Sequence, residues 1–263
     1  MSLKNINPKK TSSWNALESH FNEIKNVKIK ELFKNNSRAN SLTISWDKFT
    51  VDYSKNRLNK KTLKLLFNLA NECDLENSIQ KQFRGVKINK TENRAVLHSA
   101  TRANSNEKIF IDNINIVPSI IESRAKMKKF TDDILSGKLR GSTNKIFTDI
   151  VNVGIGGSDL GPIMVVDSLK YYKSRLNPHF VSNVDGDHVL EILKKVNPET
   201  TLFIIVSKTF KTQETLVNSN TIKNWIVSKL GEKSIAFHFA AVSTNTKEIE
   251  NFGINKEYTF SMN

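Results

Sequence analysis

The sequence of 263 residues holds one cysteine, Cys73, so no internal disulfide can form, and with no Cys/His cluster a structural zinc site is excluded as well. This cysteine usage fits a reducing compartment. Only ten glycines and five prolines are present, too few for a collagen-like or linker-dominated chain. No stretch approaches the roughly 20 apolar residues of a membrane span, and the polar segment from Met1 to Lys10 has no apolar run of signal-peptide length. The expectation is a cytoplasmic protein with no membrane partner.

Acidic residues are also scarce. Lys and Arg number 40 against 26 Asp and Glu, a formal charge of +14. Residues 1–150 carry 28 basic and 15 acidic side chains, residues 151–263 carry 12 and 11, so the excess belongs to the front half. Lys4, Lys9, Lys10, Lys25, Lys28, Lys30 and Lys34 are scattered among asparagines and not grouped with stacking aromatics. They read as a solvated lysine-rich surface, and no nucleic-acid partner is expected. The 38% apolar and 25% charged fractions are those of a folded protein. The length suits one large domain or two modest ones, at roughly 100–200 residues each.

Apolar residues at Trp14, Leu17, Phe21, Ile24 and Val27 follow three- and four-residue steps and predict an amphipathic helix from Ser13 to about Asn35. Ser41 to Tyr53 alternates in places and predicts a short hairpin. Leu63, Leu66, Phe67 and Ala70 return to helical spacing between Asn59 and Ala70. The expected organisation is a mainly helical N-terminal region with a small β element, residues 1–118, followed by an α/β domain, residues 119–263, truncated at its C-terminal end.

Beyond Ile120 the pattern changes. A β-branched run from Ile146 to Val153 ends at Gly154-Ile155-Gly156-Gly157-Ser158-Asp159-Leu160-Gly161-Pro162, which holds four of the ten glycines. Further apolar runs lie at His179–Val184, Thr201–Val206 and Ile235–Val242, and helical spacing follows each of the four: Ile163 to about Tyr172, Asp187–Lys195, a stretch through Ile222, Trp225, Ile226 and Leu230, and a last short segment. Short, nearly all-apolar strands alternating with helices predict a three-layer, doubly wound parallel sheet.

In such a sheet, ligands sit beyond the carboxyl ends of the strands. The glycine cluster permits close backbone approach, a helix N-terminus supplies unpaired N–H groups, Ser158 is predicted as the N-cap and Pro162 falls in the first turn. After the third run, Ser207, Thr209 and Thr212 present three hydroxyls and Lys208 one cation, a set that suits a small-molecule phosphate dianion. Capping alone would account for one hydroxyl. A Walker A loop is excluded, because Pro162 and Ile163 follow Gly161. A dinucleotide fingerprint fails as well, since Asp159 stands where its third glycine would be; Asp185, at the end of the second strand, could otherwise pass for a ribose-binding acid.

The segments VNVGIGGSDLGP, SNVDGDH and VSKTFKTQET, with FTVDYSKNRL, FRGVKINKTENRAVLHSATR and SGKLRGSTNKIFTDI upstream, closely resemble the glucose-6-phosphate isomerase family of the sugar isomerase (SIS) superfamily, in order and spacing, from about Ala39 onward. The resemblance implies a cytoplasmic aldose–ketose isomerase of glycolysis and gluconeogenesis that interconverts glucose 6-phosphate and fructose 6-phosphate with no metal or other cofactor, and that is a homodimer when full length. It implies that Ser207, Lys208, Thr209 and Thr212 hold the phosphoryl group of the sugar phosphate and that Gly157 and Ser158 line the substrate site. Lys211 stands where the family often has Thr, outside the four phosphate contacts. His98, Arg102 and His188 read as structural.

Isomerisation moves a proton between adjacent carbons through an enediol, so it needs a carboxylate base, a cation near the developing oxyanion and a ring-opening acid–base group. In the family a glutamate, an arginine, a histidine and a lysine fill these roles, and the resemblance places all four downstream of Asn263. No catalytic residue is therefore expected in this chain. Glu214 is explained by its place in the first turn of a helix. The alternative is a non-catalytic sugar-phosphate-binding regulatory module of the same superfamily.

Overall fold

In the computed structural model residues 3–262 are described, and the chain divides into two compact units, Met1–Pro118 and Ser119–Asn263. In the first unit, α1 (Ser12–Ile24) is capped by Thr11, whose hydroxyl accepts the Trp14 N–H at 3.2 Å. The predicted continuation to residue 35 is broken: Val27 N–H closes a turn onto the Ile24 carbonyl, and only the single turn α2 (Ile29–Leu32) follows. Asn26 and Val27 are weaker helix formers than the residues before them.

After α3 (Arg38–Ser41) comes the predicted hairpin, β1 (Thr43–Trp46) paired with β2 (Phe49–Asp52). The buried Arg38 donates to the carbonyls of Ser54, Asn56 and Leu58 and ties down the exit from the hairpin. Asn59 and Thr62 form a capping box at the start of α4 (Lys60–Glu72), and the buried His20 joins α1 to α4 through Thr62 Oγ1 at 2.8 Å. The unit ends with α5 (Leu75–Phe83) and a small ribbon that the sequence does not announce, β3 (Phe110–Ile111) with β4 (Ile114–Asn115).

The second unit is built on a parallel sheet. Helix α6 (Val117–Leu135) leads into β5 (Asp149–Val153), α7 (Gly157–Ser168), β6 (Asn177–Val181), α8 (Gly186–Leu193), β7 (Thr201–Val206), α9 (Gln213–Leu230), α10 (Ile235–His238), β8 (Phe239–Val242), α11 (Thr246–Phe252) and β9 (Thr259–Phe260). The strand order is β6-β5-β7-β8-β9, all parallel. The first crossover steps one way from β5 and the later ones step the other way. Right-handed connections therefore put α7 on one face and α8, α9 and α11 on the other, which is the doubly wound α/β architecture.

Alternation along the strands assigns the two cores. Val151, Val153, Phe203, Ile205, Phe239 and Ala241 pack with residues of α8, α9 and α11 in one buried cluster. Leu202 and Ile150 face the other way, toward Phe130 and Ile134 of α6 and toward Phe147. Arg175 closes this second layer, donating to the carbonyls of Ile134, Leu135 and Phe147, the first two in the last turn of α6.

Element boundaries of this unit differ from the sequence expectation in several places. The run Ile235–Val242 is half helix: a turn capped by Ser234 Oγ on the Gly231 carbonyl carries straight into α10, and only Phe239–Val242 joins the sheet. A short apolar run has no periodicity to separate a buried helical turn from a strand. Residues 146–148 precede β5, Ile146 pairing instead with Arg140. A further difference is that α7 begins at Gly157 and ends at Ser168, with a 3-10 turn over Lys170–Tyr172.

Candidate functional site

Strands β5 and β7 lie side by side, and the crossovers leaving them run in opposite directions. This is the switch point of the sheet, where a crevice opens beyond the strand ends. Both loops singled out in the sequence emerge there: Gly154–Gly157 from β5 into α7, and Ser207–Thr212 from β7 into α9.

The β5 loop turns on Gly156, with φ +58° and ψ −123°, a conformation closed to side chains with a Cβ. Gly154 is needed for a different reason, since a Cβ there would stand 2.7 Å from the Ser158 carbonyl oxygen. Because Gly156 makes the turn, Gly156 and not Ser158 is the N-cap; Asp159 and Leu160 N–H donate to its carbonyl. Ser158 lies inside the first turn and makes no cap hydrogen bond. Pro162, expected in the first turn, is the sixth helical residue, where its missing N–H leaves the Ser158 carbonyl without its helical donor. Asn152 of β5 supplies one from its side chain at 3.0 Å. Asp159 is buried in the first turn, and its Oδ1 has no hydrogen-bond partner in the protein. A negative group there interacts favourably with the N-terminal end of the helix.

The β7 loop is held from three sides. Ser207 N–H donates to the Val242 carbonyl of β8. The Lys208 carbonyl accepts from Thr244 N–H, Thr244 Oγ1 and Ser243 Oγ, and the Thr209 carbonyl accepts from Asn245 Nδ2. Phe210 takes a left-handed conformation, φ +52°, with its side chain buried against the edge of Phe252. A non-glycine residue in that region is uncommon and needs such anchoring. Ser207 and Thr212 come together, their hydroxyls 3.1 Å apart, Ser207 buried and Thr212 half-buried. Thr212 forms no side-chain cap, so the first N–H groups of α9 point out of its N-terminus without one. Lys208, Thr209 and Gly157 are exposed and Ser158 half-buried.

The sequence reading missed Phe210, Asn245, Ser243, Thr244 and Asn152, which shape the loops without resembling a site. The end of β6 contributes less. The predicted strand to Val184 stops at Val181, and the Asn183 carbonyl accepts instead from Asn218 of α9 at 2.8 Å. Asp185 caps α8 through Asp187 N–H, which accounts for its carboxylate without a ribose. Among the described residues no group of three His, Cys, Asp or Glu side chains is placed to share a metal ion.

A family model described as phosphoglucose isomerase matches residues 52–263, the segment that carries both loops and the sheet. The chain belongs to the phosphoglucose isomerase family. It is similar to the glucose-6-phosphate isomerase of Christiangramia forsetii, with 52% identity over 261 residues, 99% of this chain and 48% of that relative. The fold is similar to the crystal structure of a glucose-6-phosphate isomerase from Chlamydia trachomatis, with a TM-score of 0.80 and 23% identity over 98% of this chain and 48% of that one. The chain thus spans about half the length of the family members it matches. The parallel sheet itself accounts for the position of the two loops, each at the end of a central strand. Among the described residues no helix is long and apolar enough to cross a membrane.

Proposed function

We propose that this chain provides the sugar-phosphate grip of an aldose–ketose isomerase that interconverts glucose 6-phosphate and fructose 6-phosphate through an enediol. One observation carries the reading: the glycine turn and the hydroxyl-rich loop stand at adjacent strand ends, at the switch point of the sheet. Ser207, Lys208, Thr209 and Thr212, with the N-terminus of α9, would hold the phosphoryl group. Hydroxyl and backbone donors fix its orientation and one ammonium offsets its charge. Gly157 and Ser158 would lie along the sugar, where the absence of a Cβ at Gly157 allows close approach.

Isomerisation requires a base over the two reacting carbons. The helix starts that follow the two loops carry the carboxylates Asp159, buried within α7, and Glu214, in the first turn of α9. As the family resemblance implies, and because the chain spans about half the length of the relatives it matches, we assign the proton-transferring groups to sequence beyond these 263 residues. The full-length protein is proposed to be a cytoplasmic homodimer. The hairpin supports a docking role, since Ile44, Trp46, Phe49 and Val51 share one of its faces and all four are exposed.

The assignment is tested by a coupled assay for fructose 6-phosphate conversion with the 263-residue protein. No turnover above a Lys208→Ala control is expected. Turnover abolished by that substitution would mean that the chain carries its own acid–base groups. A regulatory module would instead need a protein partner whose binding changes when sugar phosphate is added.

A further inference from the structure

A cavity of the second unit lies at the opposite end of the sheet from these loops. It opens where the chain enters β5, β8 and β9, beneath α6, and has a volume of about 570 Å³, within the range of small-molecule sites at roughly 300–1,000 Å³. Two properties of its lining point to one kind of occupant.

The first is charge. Lys126, Lys129, Lys138 and Arg140 face Asp133 and Glu257, four cations against two carboxylates. Asp133 is shared by Lys129 at 2.7 Å and Lys138 at 3.4 Å, and these neighbours hold its carboxyl below the usual range. Lys126 donates to the Thr259 and Lys256 carbonyls, and Arg140 to the Asn144 carbonyl. Neutral acceptors orient these two cations without cancelling their charge. The second property is aromatic surface. Phe130 and Tyr258 sit 5.3 Å apart on one wall, and Phe237 of α10 contributes a ring that is 45% exposed. The loop that carries Arg140 and Asn144 is fixed from behind, where Ser142 N–H donates to Nε2 of the buried His238 at 3.0 Å.

We propose that this cavity is a second ligand site, for a nucleotide: a planar base against the aromatic wall, its phosphates among Lys126, Arg140 and the lysines that flank Asp133. Stacking and charge act together there, so neither part of the ligand alone binds as well. The site is independent of the phosphate-gripping loops.

Isothermal titration calorimetry of the 263-residue protein with ATP, tripolyphosphate and adenosine tests this. ATP is expected to bind at least about tenfold more tightly than either of the other two. Arg140→Glu and Phe237→Leu should each weaken ATP binding by about fivefold or more, and the second substitution keeps apolar volume while removing the ring. Lys208→Ala should leave ATP binding unchanged. Thermal melting checks that each variant is folded. No ATP binding at millimolar concentration, equal binding of ATP and tripolyphosphate, or loss of binding in Lys208→Ala would each overturn the proposal.

Discussion

The Asn152 side chain donates to the Ser158 carbonyl at 3.0 Å, replacing the N–H that Pro162 cannot give. A strand residue thus repairs the helix that begins the candidate site. Leaving a fully buried acceptor unpaired costs about 1–3 kcal/mol; the Ser158 carbonyl is part-buried, so Asn152→Ala should lower stability by about 1 kcal/mol in urea titrations. In a Pro162→Ala background the restored backbone N–H takes over, and the same change should cost measurably less. An equal cost in both backgrounds would show that Asn152 acts by packing alone.

At Gly156 a Cβ would meet open space, so Gly156→Ala isolates the backbone requirement. The backbone there, φ +58° and ψ −123°, is strained for any residue with a side chain. We expect destabilisation of about 1–3 kcal/mol with an unchanged urea m-value. Wild-type stability in this variant would mean that the turn adapts freely.

His238 donates from Nδ1 to the Thr201 carbonyl and accepts the Ser142 N–H at Nε2. Only the bond at Nε2 needs the neutral ring, and burial pushes the ring's pKa below its ordinary value, against smaller opposing effects of the Thr201 hydrogen bond and the charge of Glu199. The unfolded chain therefore binds the proton more readily. Stability from this group is fully present above about pH 6.5 and is lost as the pH falls toward the lower native value. Comparing the pH dependence of stability in wild type and His238→Gln between pH 8 and pH 5 checks this, with the steeper fall expected in wild type.

Arg175 serves three carbonyls at the end of α6 and the approach to β5. Arg175→Lys keeps the charge but not the fork, and should recover little of the stability lost in Arg175→Ala. Near-complete rescue by lysine would make the interaction one of charge alone.

The parallel sheet was legible because its strands are buried on both faces and read as unbroken apolar runs, as in Thr201–Val206. The two loops were legible from composition, glycines at one and hydroxyls with a lysine at the other. Local pattern did not reveal the partners that set their geometry. Asn245 and Phe252 lie more than thirty residues beyond the Ser207–Thr212 loop that they hold, and Asn152 meets Ser158 only because Gly156 turns the chain back. Side-chain preference puts the N-cap on Ser158 for the same reason: the positive-φ turn at Gly156 starts α7 earlier than that preference suggests. The first turn of Ile235–Val242 reads as strand in the sequence because four apolar or aromatic residues before a true strand extend its pattern.

The central claim, that the loop after β7 grips a phosphoryl group, is tested most directly by phosphorus NMR titration of fructose 6-phosphate into the 263-residue protein. The prediction is saturable line broadening that is reduced about tenfold or more in apparent affinity by Lys208→Ala and by Thr212→Val, and that Arg140→Glu leaves unchanged. Saturable binding unaffected by either loop substitution would contradict it.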